Sequence, residues 1–155
     1  STLHTKDAIS TPIRLIDMGA PNYMVATSVH AVLAQRLVRL VCESCAEPRA
    51  PEAHELSWIA AHMGEGAEPG GKFMRGRGCS NCNGTGFLGR IGVYEMLEMS
   101  KEMVRAANRN DPDQFSEVAR KQMQGRMLGQ NAFQLAAEGR TTIEEAIRVA
   151  SAQEE

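Results

Sequence analysis

Aromatic side chains make up only 5% of the 155 residues, and the formal net charge is −2. Nucleic-acid surfaces are built from basic fields and stacking platforms, so this composition predicts no nucleic-acid partner. No apolar run approaches the ~20 residues that cross a bilayer, so no transmembrane segment is expected, and no secretory signal opens the chain. There is no G-x-x-x-x-G-K-[ST], so no loop here is expected to cradle the phosphates of a nucleotide. Cysteine is limited to four residues. They form two C-x-x-C pairs, which favours metal binding in a reducing cytosol over a disulfide framework. Apolar residues at 43% and charged residues at 23% are ordinary for a soluble globular protein. The length suffices for one compact domain or two small lobes.

The opening segment predicts a helix with Thr5 as N-cap, Asp7 in the first turn and Ile9, Ile13 and Ile16 at helical spacing. Gly19 supplies its stop. Pro12 should kink this helix or push its regular part downstream. The stretch from Pro21 starts as a short helix and turns strand-like from Val32 to Val41, with Gln35, Arg36 and Arg39 as polar interruptions. Arg36 and Arg39 are expected on a solvated strand face. A loop and short helix follow to Met63, with Leu56, Ile59 and Met63 apolar. "GEGAEPGGK" reads as a mobile loop. "FLGRIGVYEML" returns to strand, and helices are expected over about 101–108, 112–122, 127–138 and 142–150. The last carries a capping-box pattern, Thr142 with Glu145, or Thr141 with Glu144 in the alternative register.

Cys42 and Cys45 form one pair, Cys79 and Cys82 the other. A C-x-x-C turn sets two thiolates on one knuckle, and two knuckles complete a tetrahedron around zinc. In "CNGTG", Gly84 and Gly86 permit a sharp turn that aims backbone N–H groups at sulfur and offsets its charge. The pattern favours a structural Zn2+ over a dithiol redox pair or four unrelated thiols. No histidine is needed as a ligand. Because strand-like segments end at Val41 and resume after Cys82, the ion would pin the base of a long insertion between two pairing strands.

The ordered set "STLHT", "RLIDMG", "AQRLVRLVC-x-x-C", "GC-x-x-CNGTGFLGRIGVYEML" and "GRTTIEEAIRV" resembles the C-terminal part of the type II secretion and type IV pilus-extension ATPases. The closing stretch looks nearest the branch serving mannose-sensitive haemagglutinin pili. The resemblance covers essentially the whole chain. It implies a fold of the α/β class, α+β as a fragment. Residues 1–41 would be the edge of a RecA-like ATPase domain, 42–97 a tetracysteine zinc-binding insertion in a β-hairpin with its returning strand, and 98–155 a small helical subdomain. His4 would close a histidine box and sense the γ-phosphate. ATP and Mg2+ would bind only in the full-length protein, a cytoplasmic hexamer held at the inner membrane by a platform protein and other assembly components. The Walker A and Walker B segments would lie upstream, so the chain reads as a truncated piece that does not itself hydrolyse ATP. Its own nucleotide-binding residues stay unassigned.

The other reading is a stand-alone zinc-ribbon module, chaperone-like or nucleic-acid-binding. "C-x-x-C-N-G-T-G" echoes the zinc repeats of Hsp40-type co-chaperones, but only the second pair carries such glycines, and no basic aromatic face is visible.

Overall fold

The computed structural model describes residues 1–63 and 71–154. Most of the expected glycine-rich loop, residues 64–70, lies outside them. The described residues are mixed α+β with two small sheets. In order they form α1 (Ser10–Asp17), α2 (Asn22–Ser28), β1 (Ala31–Val41), β2 (Ala46–Pro48), α3 (Ala53–Met63), β3 (Met74–Gly76), β4 (Phe87–Glu98), α4 (Lys101–Asn108), α5 (Pro112–Met123), α6 (Leu128–Ala137) and α7 (Ile143–Glu154). A 3-10 turn, Glu43–Cys45, follows β1. β1 pairs with β4, and β2 pairs antiparallel with β3. Cys42 N–H donates to Gly86 O and Met99 N–H donates to His30 O, so β1 and β4 also run antiparallel. The tetracysteine insertion thus sits between two paired strands.

Contacts group the residues into two units, Ser1–Gln35 with Tyr94–Met127 and Arg36–Val93 with Leu128–Glu155. In the first, α4 and α5 present narrow apolar stripes. Met103, Ala106 and Ala107 line one, and Phe115, Ala119 and Met123 the other, all buried with Ala8, Ile9, Ala26 and Leu97. Ser100 caps α4, its hydroxyl accepting from Met103 N–H, and the Asp111 carboxylate caps α5 by accepting from Gln114 N–H. Pro112 takes the first turn of α5, where its missing N–H costs nothing.

α1 begins at Ser10 rather than near Thr5. Starting there places Pro12 in the first turn; an earlier start would put it in the helix interior and break a hydrogen bond. Capping falls to Asp7, whose carboxylate accepts from Ser10 N–H at 2.7 Å, while the Thr5 hydroxyl is paired with that of Thr11. Gly19, at φ +96, ends the helix as expected, with Gly19 N–H on Ile16 O and Ala20 N–H on Leu15 O.

In the second unit α6 and α7 pack closely, because Gly129 leaves room for Ala150 that a Cβ would fill. α3 lies against both helices, and Trp58 and Phe73 meet Phe133. Ile59 is buried as its spacing implies, but Leu56 faces out and Glu55 faces in. Glu55 is placed by its bonds: its carboxylate accepts from the Glu52 N–H at the helix start and from the Arg49 guanidinium.

Candidate metal centre

The two cysteine knuckles are positioned by strands. β1 delivers Cys42, the 3-10 turn carries Cys45, β3 leads into Cys79, and Cys82 precedes β4. The β2–β3 ladder, with Ala46 opposite Gly76, holds the two knuckles side by side. All four Sγ atoms lie within 4.8 Å of one another, with Cys42, Cys45 and Cys82 buried and Cys79 partly so. The separations Cys42–Cys79 and Cys45–Cys82 are both 3.9 Å, and Cys79–Cys82 is 3.7 Å.

These spacings discriminate among chemistries. A disulfide needs sulfurs about 2.05 Å apart, so none is bridged. Four sulfurs held about 2.3 Å from a central ion lie on tetrahedral edges of about 3.8 Å, close to the separations found. The donor set is therefore one that could hold a metal ion with all four positions filled by thiolate.

Backbone N–H groups face the sulfurs. Gly78 N–H donates to Cys45 Sγ at 3.3 Å, and Cys79 and Gly86 N–H both donate to Cys82 Sγ at 3.2 Å. Such bonds disperse thiolate charge that burial would otherwise penalise. Burial pushes the Cys45 thiol up to about 11 despite its bond from Gly78. Burial also acts against the Cys82 thiolate, but the N–H groups of Cys79 and Gly86 together with the Cys79 and Cys45 thiols outweigh it and bring that thiol down to about 6.

Of the two glycines expected to serve the knuckle, Gly86 does aim its N–H at sulfur. Gly84 N–H goes instead to Cys79 O, closing the turn at φ +77. Gly76 was not singled out by its sequence context, yet it matters most for packing. A Cβ there would sit 1.9 Å from Gly86 O.

His4 is exposed, in the segment ahead of α1. It belongs to the first unit and the cysteines to the second. Arg39 is engaged rather than merely solvated. Its guanidinium bonds Glu145 at 2.8 Å and lies 4.0 Å over the Phe87 ring. The Thr142–Glu145 capping box forms only by half. Glu145 N–H reaches Thr142 Oγ1 at 3.4 Å, while the carboxylate is taken by Arg39 and Arg148. Burial opposes the Glu145 charge, but the two guanidinium groups and Arg39 N–H prevail and hold it down to about 2.

The fold and the site define a mixed α+β protein whose paired strands flank a four-thiol cluster that could hold a metal ion. The chain belongs to the type II/IV secretion system protein family, whose model matches residues 1–148. It is 36% identical over 150 residues to type II secretion system protein E of Pseudomonas aeruginosa, an alignment covering 96% of this chain and 29% of that protein. It is 32% identical over 148 residues to the type IV pilus assembly ATPase PilB of Thermus thermophilus, covering 95% of this chain and 16% of PilB. A putative type II secretion system protein E of Escherichia coli is 32% identical over 152 residues, covering 98% and 30%. The chain spans under a third of each of these relatives. Among the described residues no helix is long and apolar enough to cross a membrane.

Proposed function

We propose that this chain is a zinc-stabilised portion of a motor ATPase that powers type II secretion or type IV pilus assembly. The observation that carries the proposal is the thiol tetrahedron closing an insertion between paired strands, in a chain of this family. Zinc suits four thiolates in tetrahedral array, and a site so filled is structural, with no position open to substrate. When bound, zinc would supply a four-way cross-link and neutralise much of the thiolate charge. The residues of the chain do the rest. The N–H groups of Gly78, Cys79 and Gly86 orient and disperse charge on sulfur, and the β2–β3 ladder keeps the knuckles facing.

In the motor, residues 1–41 would form the edge of a RecA-like domain, 42–97 the zinc-bearing lobe and 98–155 a helical subdomain. Leu33 on β1 and its neighbours Tyr94 and Met96 on the paired β4 leave apolar side chains exposed on the strands, as expected of a sheet face that another part of the motor would cover. His4 would lie near the γ-phosphate. An imidazole N–H can donate to a phosphate oxygen and lose that partner on hydrolysis. The phosphate loop and magnesium-holding acidic strand would come from the rest of the motor. That motor would act as a cytoplasmic hexamer and pass its motion to an inner-membrane platform protein.

Elemental analysis tests the metal assignment. Protein purified without chelator should carry one equivalent of zinc; well under one equivalent, or iron in its place, refutes it.

A further inference from the structure

We propose that the turn joining α6 to α7, with the first turn of α7, braces the metal centre. Arg140, Thr141, Glu144 and Glu145 hold the chain on both sides of the Cys42–Cys45 knuckle, so metal binding and docking of α7 strengthen one another. This rests on the metal-centre reading above.

The brace begins at β1. One edge of that strand pairs with β4; near its end the α6–α7 turn supplies further partners. Val41 N–H donates to Arg140 O at 3.0 Å, Thr141 Oγ1–H donates to Arg39 O at 2.7 Å, and Arg39 N–H donates to Glu145 Oε2 at 2.9 Å. Each fixes backbone immediately before Cys42. The groups involved are inside the protein: Thr141 is 0% and Glu145 2% exposed. A free capping-box glutamate would turn back to its own helix start. Here that carboxylate is committed to strand β1 instead.

The far side of the knuckle is held from the same helix turn. Glu144 meets the Arg49 guanidinium at 3.1 Å, and Arg49 follows Cys45 by way of β2. Arg49 is fixed in turn by the buried Glu55 at 2.9 Å and by its N–H on Phe73 O. The approach to the second knuckle also rests on this region. Lys72 N–H donates to Ala137 O at 2.8 Å, and a Cβ on Gly139 would come within 2.7 Å of Lys72 O.

Four thiolates bind tightly only if their backbones are already placed, since ordering them on binding subtracts from affinity. Coupling of this kind is reciprocal: whatever the docked helix adds to metal affinity, the metal adds to helix docking.

The test is zinc affinity, measured on the full chain by competition with a chelator of known strength. Glu145→Gln should weaken zinc about tenfold, the lower end of the range for groups that orient metal ligands. Glu144→Gln, at a more exposed pair, should weaken it roughly two- to fourfold and fold normally. In an Arg49→Gln background the Glu144 effect should vanish, which general destabilisation would not produce. Unchanged affinity in Glu144→Gln, an equal loss in the exposed control Glu117→Gln, or a Glu144 effect that persists without Arg49 overturns the brace. If Glu145→Gln does not fold, Glu144→Gln and its cycle with Arg49 decide. Wild-type protein that takes up no zinc defeats the metal-centre reading itself; wild-type protein that binds zinc while the variants match it defeats only the brace.

Discussion

Gly76 and Gly84 flank the metal centre, and only Gly84 stands out in the sequence, but alanine should be tolerated far less well at Gly76. At Gly76 a methyl group would lie 1.9 Å from Gly86 O and 2.6 Å from Gly86 C and Cα. That is roughly an ångström or more inside ordinary contact, and the obstacle is backbone that no rotamer change can clear. Moving Gly86 aside would disturb two bonds: Cys42 N–H to Gly86 O at 2.9 Å and Gly86 N–H to Cys82 Sγ at 3.2 Å. Overpacking costs about 1–3 kcal/mol and each lost hydrogen bond about 1 kcal/mol, so about 3–5 kcal/mol in all. If that strain is relieved when the lobe opens, zinc affinity falls roughly a hundred- to several-thousandfold. Around Gly84 there is nothing within 4 Å of an added Cβ, and only the left-handed φ of +77 opposes it. That costs about 1–2 kcal/mol, a loss of roughly five- to thirtyfold. Chelator competition on the two single variants reads the difference directly. Equal affinities, or a larger loss for Gly84→Ala, would refute the close backbone approach between the knuckles.

Glu145 should titrate far below the ordinary carboxylate value of 4.5, at about 2, since Arg148 and Arg39 outweigh its burial. Its lowered pKa makes its stabilisation, about 3 kcal/mol, complete above about pH 4.5 and progressively lost as pH falls toward 2. A carboxyl carbon resonance titrating near 4.5 by NMR would contradict this. Ser100→Ala removes the α4 cap and should cost about 1 kcal/mol by denaturant unfolding; no change in midpoint would show that the bond to Met103 N–H carries no stability. In an intact motor containing this segment, His4→Ala should lower kcat for ATP hydrolysis and leave thermal stability unchanged. An unaltered kcat removes His4 from the phosphate site.

Features carried by local periodicity or by paired ligands were readable from the chain. The C-x-x-C spacing brought four sulfurs together, and the density of Val and Leu from Val32 to Val41, interrupted by Gln35, Arg36 and Arg39, foretold a strand. The Gly19 stop was legible because one residue type supplies that backbone angle. Residues whose partners lie far along the chain were not. Arg39 meets Glu145 across 106 positions, and nothing near either marks the pairing. The half-seen capping box was the one available clue, and it pointed to the wrong donor because Arg39 and Arg148 claimed the carboxylate. Nor does any local pattern mark that the apolar Leu56 faces out beside a buried Glu55, whose carboxylate is bonded by Arg49 and by the helix start.

β1 and β4 each pass from one unit into the other, so neither unit is a continuous stretch of sequence. This has a consequence during synthesis. Ala8 and Ile9 end among Leu97, Met103, Phe115 and Met123, which leave the ribosome roughly 5–20 s later at ordinary elongation rates. The first unit therefore cannot complete its core as it emerges, whereas both knuckles are already available to metal once residue 82 is out. The four cysteines can therefore gather first and β4 can pair with β1 as it follows, while α6 and α7, which belong to the same unit as the cysteines, arrive last.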